Sequence, residues 1–417
     1  MITSLRIENY KAFNEKVELN LEADARNKKL FTNYVTLGKY NVLKSAGIYG
    51  KNNVGKTCII DAVDTIRSVL INEPIIFHPN IFYNNSIVSL GVSFISDGFG
   101  FSFDFKFDTE KREYVYENYS TFDIENKNRK KVLILKDTIN NIYECENTKF
   151  KELLPNLSNT NIVLHTANTA SFPKVDKLKN TFVYFATRVQ VVKLTNIPIS
   201  RTIDELKRNS SNVKEIVDFI KRADLEIEKF GYSDKVRVNV GRLEGTQMAP
   251  PEKVLEGADL ADIHKLISVH KGRGVPFVAF DSTGTKKIVA LASYIVDNIK
   301  DGGTLFVDEL DNGLHFELAR AIVSMYNSEA NTKGQLVFTT HDVCLLDCKK
   351  LLRKEQIWFA SKDADRTYLY SLNDFKSRDE IGVRSESDIV DLYKKGVFAD
   401  LPEPDLIKWL MEVVNGK

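Results

Sequence analysis

The chain has 417 residues, 43% of them hydrophobic, which is enough for a large core or for one core with an insertion. Its formal net charge of +1 excludes a global basic field that would draw it to nucleic acid or to an anionic membrane. Four scattered cysteines, no leader pattern and no apolar stretch near the roughly 18 residues of a membrane helix lead us to expect a cytoplasmic protein without a membrane partner.

The first elements predicted along the chain are a β-hairpin and a phosphate-binding loop. Residues 4–10 and 17–21 alternate as two strands do. A short apolar strand, Ser45 to Tyr49, then leads into Gly50-Lys51-Asn52-Asn53-Val54-Gly55-Lys56-Thr57, a complete G-x-x-x-x-G-K-[ST] motif. Apolar residues recur at helical spacing from Ile59 to Leu70 behind it. A chance glycine-rich turn would lack this strand–loop–helix context, so the sequence predicts a site for a nucleoside triphosphate.

The residue types of this loop suit phosphate chemistry. Its glycines let successive backbone N–H groups, and the positive end of the following helix, converge on a phosphate. Lys56 would reach the β- and γ-phosphates, and the Thr57 hydroxyl would ligate Mg²⁺.

The middle of the chain changes from strands to helices. Short β-like runs between residues 87 and 135, separated by turn signals, predict an antiparallel meander inserted after the first βα unit. The basic cluster at 127–131 is interpreted as a solvated hairpin tip, with a DNA contact as the alternative. Residues 198–232 carry helical periodicity, including a predicted helix from Val213 to Phe230, and 241–257 is predicted to be a loop.

The second half returns to strands alternating with helices, which predicts a parallel sheet covered by helices. The predicted strands are 266–270, 276–280, 304–307 and 335–339, and the predicted helices are 286–299 and 316–325. No heptad pattern is sustained, so long coiled-coil arms are not expected.

One of these strands ends in two carboxylates, Asp308 and Glu309. Asp308 would lie beside the phosphate loop and hold the magnesium shell through water. Glu309 would point at the γ-phosphate and orient or deprotonate the attacking water. A buried acidic pair is costly without a cation, and a magnesium–nucleotide would supply one.

A second helix start contains Ser282 and Gly284, within the segment 281–286. Small hydroxyl residues and a glycine at a helix N-terminus form an anion cradle. The same residues serve as an ordinary N-cap, and taken alone the segment favours the cap.

In this order the motifs resemble an ABC/SMC/RecF-class ATPase head, with Walker A, signature (281–287), Walker B and D-loop (308–315) and H-loop (335–342). More narrowly, the chain is similar to the AAA-labelled ATPases of prokaryotic antiphage systems of the abortive-infection, RloA-like and PARIS AriA-like kinds. The likeness is tight from about 275 to 400 and through the phosphate loop, and loose between 75 and 260.

The resemblance implies an α/β fold of the ABC-type ATPase head, with a mixed sheet, an antiparallel β-insertion and a helical lobe. We divide the chain accordingly. The N-terminal part of the ATPase core spans 1–75, the β-rich insertion and connection 76–197, the helical lobe 198–262, and the C-terminal part of the core 263–417.

The resemblance also implies an ATPase with ATP and Mg²⁺ as cofactors. Magnesium-ATP would lie between two heads, with the phosphate loop, Asp308 and Glu309 from one head and Ser282 and Gly284 from its partner. His341 would contact the γ-phosphate as a switch. The implied partners are a second copy in a head-to-head dimer or higher oligomer, a separately encoded effector nuclease that the ATPase switch controls in antiphage defence, and a phage trigger protein.

Other functions stay open at this stage. A DNA-repair ATPase of RecF or SMC type would bind DNA directly, and the neutral charge and missing coiled coils weigh against it. A binding protein without turnover would have no use for Glu309. The first glutamine of the chain, Gln190, lies in an apolar run, so the magnesium-contacting glutamine of the class is unassigned.

Two further constellations have structural alternatives. Asp363-Ala364-Asp365 matches half of a Toprim-type metal site, or a hairpin turn in which aspartate is usual. His341-x-x-Cys344-x-x-x-Cys348 has part of the spacing of a zinc site but lacks a fourth ligand.

Overall fold

The structure, a computed structural model, describes residues 1–127, 129–194, 199–223, 226–233, 260–363, 366–375, 388–398 and 406–415. The loop predicted at 241–257 lies outside these ranges. In the part of the chain described, no helix is long and apolar enough to cross a membrane.

The elements of the first half surround the phosphate loop. Its strands are β1 (Ile2–Glu8), β2 (Val17–Asn20), β3 (Tyr34–Leu37), β4 (Tyr40–Leu43), β5 (Ser45–Tyr49), β6 (Ile87–Ser96), β7 (Phe99–Asp108), β8 (Glu113–Phe122), β9 (Lys130–Asp137), β10 (Ile142–Cys145) and β11 (Val189–Lys193). Its helices are α1 (Lys56–Leu70), α2 (Thr148–Leu153), α3 (Val163–Thr166) and α4 (Pro173–Thr187).

The second half alternates between strands and helices. Its helices are α5 (Ser200–Arg208), α6 (Val213–Arg222), α7 (Leu260–Ile263), α8 (Phe277–Phe280), α9 (Thr283–Asp301), α10 (Phe316–Asn327), α11 (Ile389–Lys394) and α12 (Leu406–Asn415). Its strands are β12 (Lys229–Tyr232), β13 (Leu266–His270), β14 (Arg273–Pro276), β15 (Gly303–Asp308), β16 (Gly334–Thr339), β17 (Ile357–Asp363) and β18 (Arg366–Ser371).

The sheet that carries the candidate site has the order β11-β15-β16-β5-β17-β18. Its pairs are parallel except for the last, in which β17 and β18 form an antiparallel hairpin. Strand β5 pairs with β16 on one side and with β17 on the other. Because the carboxyl ends of parallel strands meet at one edge, the phosphate loop after β5 shares that edge with the ends of β15 and β16.

A second, antiparallel sheet has the order β10-β9-β8-β7-β6-β1-β2. The meander predicted from the turn signals is therefore confirmed. Strand β1 pairs with both β2 and β6, so the N-terminal hairpin and the meander belong to one sheet.

Alternate residues of the site-bearing sheet enter two different cores. Phe306, Val337 and Ile48 pack with α1 and the antiparallel sheet, whereas Leu305 and Phe338 pack with α9 and the helices around it. All five side chains are fully buried, which explains why these strands have nearly continuous apolar sequences. Helix α1 lies between the two sheets and contacts strands of both.

Helices α5 and α6 pack on α9, which begins with Ser282 as its N-cap. The Thr202 hydroxyl donates to the Val289 carbonyl at 3.0 Å, and Arg201 forms an ion pair with Asp297. Buried isoleucines of α5 and α6 join the same core as α9. The architecture is a mixed α/β fold with an antiparallel insertion, and the predicted fold class is confirmed.

Two predicted elements were wrong. The strand predicted at 276–280 is instead the end of β14 followed by the short helix α8. Pro276 lacks the N–H that would continue the strand ladder, and the Asp281 N–H donates to the Phe277 carbonyl, which closes a helical turn. The helix predicted from Val213 to Phe230 ends at Arg222. Phe230 belongs to β12, where pairing with β13 and packing against Phe277 outweigh the helical spacing.

Candidate functional site

The phosphate loop has a backbone that most residues could not adopt. Gly50 has φ 149° and Gly55 has φ 95°. A Cβ at Gly50 would lie 2.4 Å from the Ala360 carbonyl oxygen, so β17 closes one side of the loop. Asn53 has φ 63°, a conformation that asparagine tolerates better than most side chains. Asparagine at this position is therefore compatible with the geometry of the loop.

Lys56 lies within the loop and is only 7% exposed. Its Nζ donates to the carbonyl oxygens of Gly50 and Lys51, at 2.8 Å each. Burial lowers the pKa of this ammonium to about 8, and the carboxylates of Asp308, Glu309 and Asp311 oppose that shift. These carboxylates thus act on the same cation. The ammonium is positioned to exchange carbonyl oxygens for phosphate oxygens.

Asp308 and Thr57 meet directly at the end of β15. The Thr57 hydroxyl donates to Asp308 Oδ2 at 2.9 Å, and the Thr339 hydroxyl donates to Asp308 Oδ1 at 2.6 Å. A hydroxyl and a buried carboxylate at the mouth of a phosphate loop are hard oxygen ligands of the kind that Mg²⁺ prefers. The residues present therefore fit a magnesium ion bound together with a nucleotide.

Glu309 is positioned by its backbone conformation and by two hydrogen bonds. Its backbone has φ 54°, uncommon for a glutamate, and its N–H donates to Thr339 Oγ1 at 2.7 Å. Its Oε2 accepts from Asn312 Nδ2 at 2.8 Å. Because Asn312 occupies one carboxylate oxygen, the other oxygen of this half-buried side chain is available to a water molecule.

His341 follows β16 and joins the same group of charges. Its N–H donates to Asp311 Oδ1 at 3.3 Å. Burial and the nearby charge of Lys56 lower the pKa of its imidazole, while Asp311 and Glu309 act in the opposite direction. This lowered pKa favours the neutral ring, in which one nitrogen donates and the other accepts.

Ser282 and Gly284 lie at the start of α9. Ser282 Oγ accepts from the Thr285 N–H at 3.1 Å, which is the N-cap geometry. Gly284 lies against the turn after Glu309, because a Cβ there would be 2.7 Å from the Gly313 carbonyl oxygen. The structure therefore brings these two residues beside the turn that follows β15.

Sequence reasoning missed the side chains that hold this site together. Thr339, Asn312 and Lys287 lie within the motif segments, but the motifs assign them no role, because their roles depend on which strand or helix lies next to them. Lys287 is buried, which lowers the pKa of its ammonium, and the charge of Glu309 partly offsets that effect. The only sequence signal for any of these three residues was the position of Thr339, directly before Thr340 and His341 at the end of a predicted strand.

Gln190 does not reach the phosphate loop. It lies in β11, where its amide oxygen can accept from Arg201 and its amide nitrogen can donate to the Tyr294 carbonyl. The residue of β11 that pairs with Asp308 is Lys193, whose Nζ donates to Asp61 Oδ1 at 2.8 Å. Lys193 is therefore the β11 side chain nearest to the acidic strand end.

Neither of the two other constellations forms a metal site within the described residues. Asp363 pairs with Arg366 in the β17–β18 hairpin, while Asp365 lies outside the described residues. Cys344 is exposed and Cys348 is half-buried, and both are free thiols. Within the described ranges, no group of three or more histidine, cysteine, aspartate or glutamate side chains is arranged to hold a metal ion.

A scan against protein-family models matches residues 45–347 to AAA_21, described as "AAA domain, putative AbiEii toxin, Type IV TA system". The matched range contains the phosphate loop, the start of α9, Asp308, Glu309 and His341. A search of curated proteins found no match.

Solved structures similar to this chain include three SMC heads. The head domain from Thermotoga maritima has a TM-score of 0.40 and 12% identity, and covers 89% of this chain and 98% of its own. An SMC head bound to the C-winged helix domain of ScpA has a TM-score of 0.44 and 12% identity, and the match covers 89% of this chain and 97% of that one. An SMC head with an extended coiled coil, bound to the C-terminal domain of ScpA from Pyrococcus furiosus, has a TM-score of 0.42 and 10% identity. This match covers 89% of this chain and 96% of that one.

Proposed function

Since the chain belongs to the AAA_21 family of AAA domains, we propose that it binds magnesium-ATP and hydrolyses it. The observation that carries this proposal is the meeting of Thr57, Asp308 and Glu309 at one sheet edge beside Lys56. Three β-strands from distant parts of the sequence contribute to this edge. Such convergence is what a hydrolytic phosphate site requires.

In the proposed mechanism, the loop N–H groups and Lys56 bind the β- and γ-phosphates. Thr57 and Asp308 would hold Mg²⁺, which would neutralise phosphate charge and polarise the γ-phosphoryl group. Glu309 takes a proton from water at its Oε1, since Oε2 is held by Asn312. Neutral His341 donates a hydrogen bond toward the γ-phosphate.

Glu309→Gln tests this proposal. The variant keeps the shape of the side chain but removes the base, so hydrolysis should fall about 10²-fold or more while ATP binding persists. Hydrolysis is measured as phosphate release and binding with a fluorescent ATP analogue. Lys56→Ala should weaken binding itself, and Glu317→Gln, an exposed acidic residue of α10, serves as the matched control. Unchanged turnover in Glu309→Gln would remove Glu309 from the role of base.

We further propose that two heads share each nucleotide: Ser282 and Gly284 of one head contact the phosphates that are bound in the phosphate loop of the other. The ATPase core would consist of 1–75 and 263–417, with 76–197 as the insertion and 198–262 as the helical lobe. Closure on ATP and opening on hydrolysis would make the assembly a two-state switch.

The family description names the AbiEii toxin and a type IV toxin–antitoxin system, and this supports a role of the switch in antiphage defence. We propose that it controls a separately encoded effector nuclease in response to a phage signal, through surfaces on the β-insertion (about 85–145) and the helical lobe (about 200–232). In cells carrying the chain with its genomic neighbour, phage restriction should occur and Glu309→Gln should block it. Full protection by this chain alone would contradict the proposal.

A further inference from the structure

Lys287 is a buried lysine of α9 whose ammonium points at the turn after Glu309. It is 5% exposed, and its Nζ donates to the Asn312 backbone carbonyl at 2.9 Å and to Asn312 Oδ1 at 2.8 Å. Gly313 has φ 70°, and a Cβ there would lie 2.9 Å from Lys287 Nζ. The turn is therefore shaped to admit this ammonium, a contact that the motif containing Lys287 does not predict.

Asn312 connects this lysine to Glu309 through the two ends of one amide. Its Oδ1 accepts from Lys287, and its Nδ2 donates to Glu309 Oε2 at 2.8 Å. A lysine has donors and no acceptor, so it fixes which end of the amide faces it. The NH₂ group is then left for the carboxylate. The Asn312 N–H also donates to the Glu309 carbonyl at 2.8 Å, which closes the turn.

We infer that Lys287 is a positioning residue for ATP hydrolysis: it fixes the orientation of the Asn312 amide, which holds Glu309 Oε2 and leaves Oε1 facing the attacking water. This inference rests on the proposed function. It also gives α9 a mechanical link to the base, because Lys287 lies just over one turn from Ser282 at the start of the same helix. A displacement of the helix start is thus passed to Glu309 by two hydrogen bonds.

Lys287→Met in the full chain is the primary test. The change removes the charge and the donors but keeps an unbranched side chain of similar length. Turnover should fall about 10- to 100-fold because Glu309 is no longer held in one orientation. The affinity for a fluorescent ATP analogue should stay within about threefold, since the lost contact acts on the chemical step. Lys287→Arg, which also presents donors only, should recover part of the turnover.

The matched control lies on the same helix. Lys300 donates to Asn212 Oδ1 at 2.7 Å and so repeats the lysine–asparagine pair far from the base. Lys300→Met should leave turnover unchanged. Asn312→Ala breaks the same link from the half-buried turn, and therefore tests the inference even if the buried lysine variant folds poorly.

The decisive comparison is made in the Glu309→Gln background. Lys287→Met should cause no further loss of single-turnover hydrolysis there, because no base remains to be positioned. Full turnover in both Lys287→Met and Asn312→Ala, or an equal loss with and without Glu309, would overturn the inference while leaving ATP hydrolysis by the wild type intact. A wild type that does not hydrolyse ATP would instead refute the proposed function, and this inference with it.

Discussion

At the scale of single residues, Thr339 connects the two acidic side chains. Its hydroxyl donates to Asp308 Oδ1 and accepts from the Glu309 N–H, so both of its hydrogen-bonding capacities are used. The side chain is fully buried, and loss of the hydroxyl would remove a hydrogen bond from each of the two residues. Thr339 therefore fixes the metal ligand and the base relative to each other.

Thr339→Val preserves the shape of this side chain but removes the hydroxyl. We expect turnover to fall about tenfold or more, because the base shifts relative to Asp308. The free energy of unfolding should fall by about 1–3 kcal/mol, since the part-buried Glu309 N–H and the buried Asp308 carboxylate each lose a hydrogen bond. Phosphate release and chemical denaturation measure the two effects. Thr339→Ser keeps the hydroxyl and should stay near wild type; a valine variant with normal turnover would show that the hydroxyl does not organise the site.

At the scale of elements, Glu117 connects the antiparallel sheet to helix α3 by a hydrogen bond. It is a fully buried residue of β8, and its Oε2 accepts from Tyr119 Oη at 2.7 Å and from the Val163 N–H of α3 at 2.9 Å. Burial raises the pKa of this carboxyl to about 7, with Val163, Tyr119 and Lys136 opposing the shift. The joint between β8 and α3 thus contains a group that titrates near neutral pH.

This joint predicts a pH-dependent stability. The folded state binds the Glu117 proton more tightly than the unfolded chain, so its contribution is fully present below about pH 4.5 and is lost as the pH rises through about 7. Between pH 5 and 8, wild type should lose about 2 kcal/mol of unfolding free energy relative to Glu117→Gln, which cannot ionise.

Urea denaturation at several pH values measures this difference. Glu144→Gln, an exposed position on β10, is the control and should follow wild type. Parallel stability curves for wild type and Glu117→Gln would show that Glu117 does not titrate in this range.

The same scale explains what the sequence could predict. Strands β5, β15 and β16 are buried on both faces and have continuous apolar sequences, so their positions were predictable, as was α1 from its apolar spacing. Helix α4 was not predicted, because the charged residues of its first half interrupt the apolar spacing of its buried positions. Motif residues such as Lys56 follow from spacing alone. Thr339 lies beside Asp308 only because β15 and β16 pair with Val307 opposite Phe338, a register that no local pattern reveals.

At the scale of the whole molecule, the proposed sharing of nucleotide between heads has a direct test. Ser282→Arg places a bulky cation at the start of α9, and should abolish turnover while leaving the nucleotide affinity of the single chain nearly unchanged. Lys56→Ala damages the other half of the site.

Mixing the two folded variants should restore part of the activity, because one composite site in a mixed dimer is then intact. Phosphate release is measured across a titration of one variant into the other, with mixtures of each variant and wild type as controls. Absence of rescue would contradict a site built from two heads.

The position of β5 in its sheet has a consequence for biosynthesis. Both neighbours of this strand, β16 and β17, come from the last third of the chain, and Gln356 Nε2 closes on the Ser45 carbonyl across 311 residues. A ribosome adding about 5–20 residues per second needs roughly 15–60 s to deliver them. Throughout that interval, an apolar strand has no partner on either edge, which is a risk for aggregation and a substrate for chaperones. A nascent chain of this kind therefore completes its nucleotide site only after β16 and β17 have been made, and a shorter copy has the phosphate loop without the strands that hold it.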